Sequence, residues 1–513
     1  MSNFRSSLDD LLAESIKVQL PQDVCPELTS LSSAHDYDLD FDLALPLLPY
    51  QRAGVAYALK QRRVLLGDEM GLGKTPQLIA VAVRAVEEGH RVLISVPPSL
   101  RLNWEREIAK FTNSTITVEV LESTKPYALS GAQVTVIGDA GLVGWAKALT
   151  KESFGALLVD EAHRFKNPKS KRTQALWGIA QGIPEAGYVV LASGTPAVNR
   201  PVELVALLDI IGTLKPVFGS AGSFKWQYCD PVKNDFGWTF NGSTNSAELH
   251  AKLRGTCYIR RRKQDVLTEL PPKRRASVAI ELSDLELRDY LRIEGDFLAW
   301  VWDKGGREAV LKASRAETIT KLTAMRQAIA VAKIKHAIDY IESIIETDEP
   351  VVVFGHHRSV LNAIIDECRA RSAKDPRWNV VSVLGGMKDA DKQLAVDDFQ
   401  SGRASVFVGN YESAGVGLTL TRANQWVSVE NPWTPASLTQ AEDRCHRISQ
   451  TVQVNCHHLI GARKNGSDTI DERLFALLNA KQEVLSAVLD GFAEDLNADT
   501  DSLVSALLSD WVN

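Results

Sequence analysis

The stretch VLLGDEMGLGKT, which ends at Thr75, combines an apolar run with a glycine-rich turn, a lysine and a hydroxyl residue. Gly71 and Gly73 would let backbone N–H groups approach an anion, and a helix starting after them would direct its positive N-terminus at the same point. Lys74 would neutralise charge on the β- and γ-phosphates, and Thr75 would offer its hydroxyl to Mg²⁺. The strict phosphate-loop pattern has glycine where this chain has Asp68. The stretch therefore predicts a triphosphate site with one departure that needs an explanation.

A second stretch, LLVDEAHRFKN, places two carboxylates at the end of an apolar run. Asp160 would hold Mg²⁺ together with Thr75, and Glu161 would orient or deprotonate the attacking water. Phosphoryl transfer depends mainly on positioning and on neutralising charge, which a lysine and two carboxylates can supply. On its own this stretch could be an ordinary turn between a strand and a helix. Downstream of the lysine loop, it predicts the second half of a nucleotide-hydrolysing site.

The elements that must position these residues are short apolar runs that alternate with segments of helical periodicity. Runs predicted as buried strands are RRVLLGD, HRVLISVP, AQVTVIG, GALLVDEAH and GYVVLASGTP in one region, and PVVVFGHH, WNVVSVLGG, ASVFVGN and QWVSVEN in another. Strands that alternate with helices form parallel sheets. The sequence therefore predicts an α/β fold with two parallel-sheet lobes.

The domain boundaries follow from changes in composition along the chain. We expect an acidic N-terminal segment (1–45), a first lobe (46–275) with an insertion at about 213–255, a helical insertion (276–345), a second lobe (346–490) and an acidic tail (491–513). Within the first segment DYDLDFDL alternates strictly, which predicts an amphipathic edge strand. An alternative hypothesis is that one of the acidic ends covers a basic DNA cleft.

The bulk properties restrict the class of protein. The 513 residues carry a formal net charge of -6, but the stretches between Lys17 and Arg52 and after Lys481 are acidic and free of lysine and arginine, so the remainder is net basic. The six cysteines form no C-x-x-C pair, which predicts reduced thiols and no zinc module. The chain starts without an apolar signal sequence. These features predict a cytoplasmic protein.

The DEMGLGKT and DEAHRFKN motifs together resemble the Swi/Snf family of superfamily-two helicase-like ATPases, in which aspartate is the usual residue in the loop. Further motifs resemble this family in the same order: LLPYQRAGVAYAL, SVPPSLRLNWEREI, LASGTPAVNRPVELVALLDII, IRRRKQDVLTELPPK, ESAGVGLTLTRANQWVSVENPWTP and QAEDRCHRISQ. The resemblance covers roughly residues 48–489. It implies two RecA-like lobes, ATP and Mg²⁺ as cofactors, and DNA as the partner.

The resemblance also implies roles for individual residues around the nucleotide. Gln51 would contact the adenine base, and Arg444 and Arg447 would reach the γ-phosphate from the second lobe, with Arg447 as the arginine finger. The alternative for both arginines is a salt bridge on a helix surface. The loop residues expected to bind nucleotide are Gly67, Asp68, Glu69, Met70, Gly71, Leu72, Gly73, Lys74 and Thr75.

DNA contacts are assigned in the same way, by position in the motifs. They comprise Ser95, Asn103, Trp104, Ser193 and Thr195 in the first lobe, and His356, His357, Ser413, Gly415 and Trp433 in the second. Trp433 could instead be a packing residue, and the two histidines could be buried and hydrogen bonded.

The motif combination resembles the annealing-helicase branch of the family, which rewinds and remodels forked DNA. We therefore expect a monomeric, DNA-stimulated ATPase that moves along duplex or branched DNA, in a bacterial or phage form. Two alternatives remain open. One is a strand-separating or RNA-directed helicase, and the other is a catalytically idle scaffold that only binds DNA.

Overall fold

The structure of the chain is a computed structural model that describes residues 25–194, 196, 200–234, 237–240, 242–303, 315–414 and 417–490. The strands in these ranges are β1 (Arg63–Leu66), β2 (Arg91–Val96), β3 (Val118–Leu121), β4 (Val134–Gly138), β5 (Phe154–Val159), β6 (Tyr188–Ala192), β7 (Pro231–Asn234), β8 (Gly237–Phe240), β9 (Tyr258–Ile259), β10 (Lys273–Leu282), β11 (Val351–Gly355), β12 (Val380–Val383), β13 (Val406–Asn410), β14 (Gln425–Ser428) and β15 (Val454–Arg463). They form two large sheets and the small hairpin β7–β8.

The first lobe is built on a seven-stranded sheet in the order β3-β4-β2-β5-β6-β1-β9. All its strand pairs are parallel. Successive side chains of β1 enter opposite cores, with Leu65 on one face and Val64 and Leu66 on the other. Both faces are therefore covered, as in doubly wound α/β folds. The five strands predicted in this region are confirmed.

The second lobe is built on a six-stranded parallel sheet in the order β10-β15-β14-β11-β13-β12. The predicted lobe boundary at residue 275 is wrong, because β10 pairs with β15 from Lys273 to Leu282 and belongs to this sheet. The strand escaped prediction because KRRASVAIEL is largely polar and exposed along its length. Its partner β15 was not predicted either.

Helices cover both sheets. Those of the first lobe are Pro26–Ser33, Pro49–Gln61, Lys74–Glu87, Arg101–Thr112, Leu142–Leu149, Lys171–Gln181, Leu204–Ile210, Leu214–Phe218, Ala221–Tyr228, Ser246–Arg254 and Lys263–Val266. The helices that follow β10 are Arg288–Asp303, Arg315–Ala332, Ile334–Ile345, Arg358–Ser372, Asp389–Gln400, Tyr411–Ala414, Pro435–Glu442 and Ile470–Asp490. Among the residues described, no helix is both long enough and apolar enough to cross a membrane.

The acidic stretch DYDLDFDL does not form the predicted edge strand. Its apolar side chains, Phe41 among them, pack against the core of the first lobe. Its acids pair with helix arginines instead: Asp36 with Arg52, and Asp40 with Arg84. The stretch is therefore held by side chains rather than by strand pairing. The acidic tail from 491 lies outside the described residues.

Candidate active site

A cleft of about 470 Å³ lies between the two lobes, and both contribute to its wall. The first lobe supplies the end of the phosphate loop and the end of β5. The second lobe supplies the chain on either side of helix Pro435–Glu442. The charged side chains and loop residues that line it include Met70, Gly71, Gly73, Lys74, Thr75, Asp160, Glu161, Arg444 and Arg447. Residues that are far apart in sequence thus form one site.

The loop takes a path that requires glycine at two positions. Gly71 has a φ of 85° and Gly73 a φ of 71°, a region of backbone conformation that other residues seldom adopt. A Cβ atom at Gly73 would lie 2.3 Å from Nε2 of Gln51. One at Gly71 would lie 3.2 Å from the carbonyl oxygen of His446 in the second lobe. The loop is therefore packed closely from both sides.

Lys74 begins helix Lys74–Glu87 and extends into the cleft. Its ammonium donates to the carbonyl oxygens of Asp68 at 2.8 Å and Glu69 at 3.3 Å. Burial lowers the pKa of Lys74, although the charges of Glu161 and Asp160 oppose the shift. This cation is desolvated and bonded only to neutral oxygens, so an anionic ligand would stabilise it.

The two carboxylates at the end of β5 have different environments. Asp160 accepts hydrogen bonds from Nε1 of Trp104 at 3.2 Å and from the backbone N of Glu161 at 2.9 Å. Burial and the adjacent Glu161 charge raise the pKa of Asp160 to about 6. Burial would also raise the pKa of Glu161, but the hydrogen bond and charge of His163 and the charge of Lys74 lower it to about 2. Glu161 is therefore ionised at neutral pH.

Glu161 also has an unusual backbone. Its φ of 52° is in the left-handed region, which costs a residue with a side chain of order 1 kcal/mol and is often found at functional sites. The strained turn directs the carboxylate into the cleft, where Oε2 is buried and lies 3.3 Å from Nδ1 of His163. An oxygen of this kind can accept a hydrogen bond from a water in the cleft.

Arg444 and Arg447 reach the cleft from the second lobe. Nε of Arg444 donates to the carbonyl oxygen of Gln440 at 3.0 Å, and Nε of Arg447 to that of Asp443 at 3.1 Å. Burial and the like charge of Arg447 lower the pKa of Arg444 to about 9. Nη1 of Arg447 also donates to Oγ1 of Thr419 at 3.1 Å. Thr419 thus helps to orient an arginine of the cleft.

These side chains fit a nucleotide triphosphate with Mg²⁺. In the described part of the chain, Lys74, Arg444 and Arg447 converge on one cleft and none of them forms an ion pair. Burying unpaired charges is costly unless a counter-charge arrives. A triphosphate would supply it, and Thr75 and Asp160 offer the oxygen ligands that Mg²⁺ prefers.

Asp68, predicted to bind nucleotide, does not line the cleft, because its side chain lies behind the loop. Its side chain is 0% exposed and pairs with the guanidinium of Arg261, whose Nε donates to Oδ1 at 2.9 Å. Nε2 of Gln77 donates to its other oxygen at 2.9 Å. The departure from the strict loop pattern is therefore structural. The predicted contacts Gly67, Glu69 and Leu72 are likewise absent from the wall of the cleft.

We predict that Asp68→Asn lowers the free energy of unfolding by about 2 kcal/mol, since Arg261 would keep one neutral acceptor and lose its buried counter-charge. Urea denaturation monitored by circular dichroism measures this. The control is Asp38→Asn at an exposed position, where a change within about 0.5 kcal/mol is expected. Equal stability of the two variants would contradict the structural role of Asp68.

Gln51 also lies behind the loop and does not line the cleft. Its Oε1 accepts from the backbone N of Leu48 at 2.9 Å, and its Nε2 donates to the carbonyl oxygen of Leu72 at 3.1 Å. Tyr50 donates to the same carbonyl at 2.9 Å. Both ends of the Gln51 amide are thus used to hold the loop, so a contact with adenine would require one of these bonds to break.

Three predicted DNA contacts in the first lobe are contradicted by burial. Ser95 and Ser193 are 0% exposed and Trp104 is 1% exposed. Trp104 faces Asp160 rather than the surface, and Asn103 lines the nucleotide cleft. Trp104 and Asn103 therefore belong to the wall of the nucleotide cleft. Thr195 and Gly415 lie outside the described residues.

The DNA contacts predicted in the second lobe cluster at the carboxyl ends of its strands. His356 and His357 follow β11 and both donate backbone N–H groups to Oε2 of Glu430. Burial and the charge of Arg326 lower the pKa of His356 to about 4, so it is neutral at neutral pH. The guanidinium of Arg326 lies 4.1 Å from the ring centre of Trp433.

The predicted residues in this cluster differ in their access to solvent. His356, His357, Ser413 and Trp433 are all partly exposed. The alternatives of a hydrogen-bonded histidine and a packing tryptophan are supported for two of them. Nδ1 of His357 is hydrogen bonded to Glu430, and Trp433 packs against two apolar cores. Contact with DNA by these four residues stays a prediction.

Sequence reasoning missed several residues of the site. His163 lies 3.3 Å from Glu161, and Arg261, Lys263 and Asp443 connect the loop to the second lobe. All four residues lie in motifs of the sequence, namely DEAH, IRRRK and QAEDR, and this membership was the one signal that could have identified them. Their contacts could not be inferred, because the partners of Arg261 and Lys263 are about two hundred residues away in the chain.

Two family models match this chain. The model described as SNF2-related domain matches residues 50–336, and that described as helicase conserved C-terminal domain matches residues 332–449. The Sulfolobus solfataricus SWI2/SNF2 ATPase core in complex with dsDNA aligns over 89% of this chain and 95% of that chain, with 22% identity and a TM-score of 0.42.

Curated relatives match along most of the chain. DNA annealing helicase and endonuclease ZRANB3 of Mus musculus is 33% identical over 497 residues, covering 93% of this chain and 44% of that protein. The SWI/SNF-related matrix-associated actin-dependent regulator of chromatin subfamily A-like protein 1 of Xenopus laevis is 32% identical over 463 residues, covering 89% and 46%. The chain thus spans less than half the length of these two relatives. With its two parallel-sheet lobes and both domain matches, the chain belongs to the SNF2-related family.

Proposed function

We propose that this chain is an ATP-dependent motor that hydrolyses ATP and moves along duplex or forked DNA. The observation that carries the proposal is the single cleft in which Lys74, Asp160 and Glu161 of the first lobe face Arg444 and Arg447 of the second. An enzyme that needs both lobes for hydrolysis couples each turnover to the closing of the lobes. Repeated closing and opening on a polymer can produce movement along it.

Each side chain has a role that its geometry supports. Lys74 binds the β- and γ-phosphates, and Glu161 orients the attacking water through its ionised carboxylate. Thr75 and Asp160 would hold Mg²⁺, which would neutralise charge on the phosphates. Arg447 stabilises the charge that develops on the γ-phosphoryl group, with Arg444 beside it.

We propose DNA as the polymer along which the protein moves, on the grounds of its family and of its relatives. The Mus musculus relative is described as a DNA annealing helicase, which favours rewinding of strands at a fork. The partly exposed residues His356, His357, Ser413 and Trp433 are the candidate contacts in the second lobe. Hydroxyl groups and imidazoles at a strand end suit contact with backbone phosphate.

An ATPase assay with a panel of nucleic acids tests the proposal. We expect Mg²⁺-dependent turnover to be at least about tenfold faster with duplex or forked DNA than without nucleic acid, because DNA must favour the closed lobes. Single-stranded DNA and RNA of matched length serve as controls. A triplex-displacement assay then distinguishes movement on the duplex from hydrolysis alone.

The alternatives correspond to other outcomes of the same panel. Stimulation by RNA alone would identify an RNA-directed helicase, and strand separation on a forked substrate would identify an unwinding enzyme. No turnover with any substrate would favour a scaffold that binds DNA without hydrolysis. The ionised Glu161 and the free cationic groups in the cleft argue against the scaffold.

A further inference from the structure

Lys263 lies at the point where the phosphate loop meets the second lobe. It follows β9 by four residues, starts helix Lys263–Val266 and is 5% exposed. Its backbone N donates to Oε2 of Glu69 at 2.7 Å. Its side chain passes directly over Gly71, where a Cβ atom would lie 3.1 Å from the Cε of Lys263. The residue is thus fixed to the loop of the first lobe.

The ammonium of Lys263 is bound by the second lobe. It lies 2.9 Å from Oδ2 of Asp443 and donates to the carbonyl oxygen of His446 at 3.0 Å. The carbonyl oxygen of Asp443 in turn accepts from Nε of Arg447 at 3.1 Å. One lysine therefore holds both ends of the short segment that carries the candidate arginine finger.

Neighbouring contacts reinforce this connection. The guanidinium of Arg261, two residues earlier, is paired with Asp68 behind the loop. On the other side, Nε2 of His446 donates to the carbonyl oxygen of Pro271 at 2.8 Å. The chain from Arg261 to Pro271 is consequently bonded to both lobes, and Lys263 is the residue in it whose charge pairs across the cleft.

Lys273 provides a useful contrast, because it pairs with the same carboxylate. Its ammonium lies 2.8 Å from Oδ1 of Asp443. However, Lys273 begins β10 and belongs to the second sheet, as does the segment that carries Asp443. The pair between Lys273 and Asp443 therefore lies within one lobe, whereas the pair between Lys263 and Asp443 joins two.

We propose that Lys263 is a positioning residue that holds the segment 443–447 against the phosphate loop, so that Arg447 is aligned on the triphosphate when the lobes are closed. This role rests on the proposed ATP hydrolysis. Lys263 does not line the cleft and acts through Asp443, His446 and Arg447. Binding of ATP to Lys74 and the loop does not depend on it, but the rate of hydrolysis does.

The test compares Lys263→Met with the matched variant Lys273→Met in the full chain. For Lys263→Met we expect kcat with duplex DNA to fall at least about tenfold, with KM for ATP within about twofold of the wild type, because an arginine finger contributes to kcat. For Lys273→Met we expect less than about a threefold change in kcat. In an Arg447→Ala background, Lys263→Met should change kcat by less than about twofold, since its effect passes through Arg447.

Hydrogen exchange provides a readout that does not depend on turnover. In Lys263→Met, amides of residues 443–450 should exchange faster while those of helix Arg358–Ser372 remain unchanged. If Lys263→Met is too unstable, Lys263→Gln, which keeps a donor for the His446 carbonyl, is measured in the same way. A wild-type chain without ATPase activity would overturn the proposed function, while exchange would still decide whether Lys263 holds the segment.

Three results would overturn the role of Lys263 itself. They are an unchanged kcat in an active enzyme, an equal loss in Lys263→Met and Lys273→Met, and effects of Lys263→Met and Arg447→Ala that multiply. The first would mean that the contact is dispensable. The second would mean that any loss of charge around Asp443 has the same general effect, and the third that Lys263 acts independently of Arg447.

Discussion

Lys74→Ala is expected to reduce DNA-stimulated ATP turnover to background, a loss of at least about a thousandfold given what charge stabilisation is worth in phosphoryl transfer. Lys74 is a half-buried cation of the first lobe, at the start of the helix that follows the loop. Its removal leaves Asp160 and Glu161 as the nearest charged groups of that lobe. The first-lobe side of the cleft would then repel a triphosphate, and Arg444 and Arg447 would face it alone.

The same substitution should leave the fold intact. Burial lowers the pKa of Lys74, which means that the folded state disfavours its charged form, so losing the ammonium does not weaken the protein. Alanine is also the best helix former at this position. Thermal denaturation is expected within a few degrees of the wild type, and titration with a fluorescent ATP analogue should show weaker binding.

Lys110→Ala is the matched control for this prediction. Lys110 lines the same cleft, but its side chain is 60% exposed and only loosely paired with Glu107. We expect its turnover to remain within about twofold of the wild type, because an exposed ion pair contributes little. If Lys74→Ala kept more than a tenth of the wild-type rate, the phosphate-binding role would have to be abandoned.

The two lobes could be predicted from the sequence because buried parallel strands are continuous apolar runs. Strands such as β5 and β11 have every residue buried, and no other element gives that pattern between glycine and polar residues. β10 gives the opposite pattern, since most of its residues are half-buried or exposed. Its place in the second sheet depends on β15, which is more than 170 residues away.

The site was predictable only where chemistry dictates residue type. A lysine, a carboxylate pair and arginines identify phosphoryl transfer, and the structure brings Lys74, Asp160, Glu161, Arg444 and Arg447 to one cleft. The burial of side chains depends on how helices pack, which a single sequence does not reveal. The indole of Trp104, expected on DNA, faces Asp160 because helix Arg101–Thr112 turns that side inward.

The loop aspartate illustrates the same limit. Asp68 was expected at the nucleotide because it occurs within the loop motif. Its partner Arg261 lies 193 residues away, and motif spacing within the loop carries no information about such a contact. The family's aspartate is explained here by a buried ion pair that fixes the loop to the chain leading into the second lobe.

Arg447→Ala is expected to retain ATP binding and to lose at least about a hundredfold in kcat, since arginine fingers contribute about 10³ to 10⁵ in related enzymes. Arg447 is half-buried, forms no ion pair among the residues described, and is oriented by Thr419 and the carbonyl of Asp443. Its charge is therefore available for the transition state. Arg447→Lys should not restore the rate, because an ammonium cannot replace a planar guanidinium.

The control for Arg447→Ala is Arg403→Ala, in which an exposed arginine of the same lobe loses its pairing with Asp398. Steady-state kinetics with duplex DNA, together with titration of a fluorescent ATP analogue, separate binding from hydrolysis. A rise in KM with unchanged kcat would make Arg447 a binding group only. That result would break the link between lobe closure and hydrolysis, because the first lobe alone would then contain every group the chemical step requires.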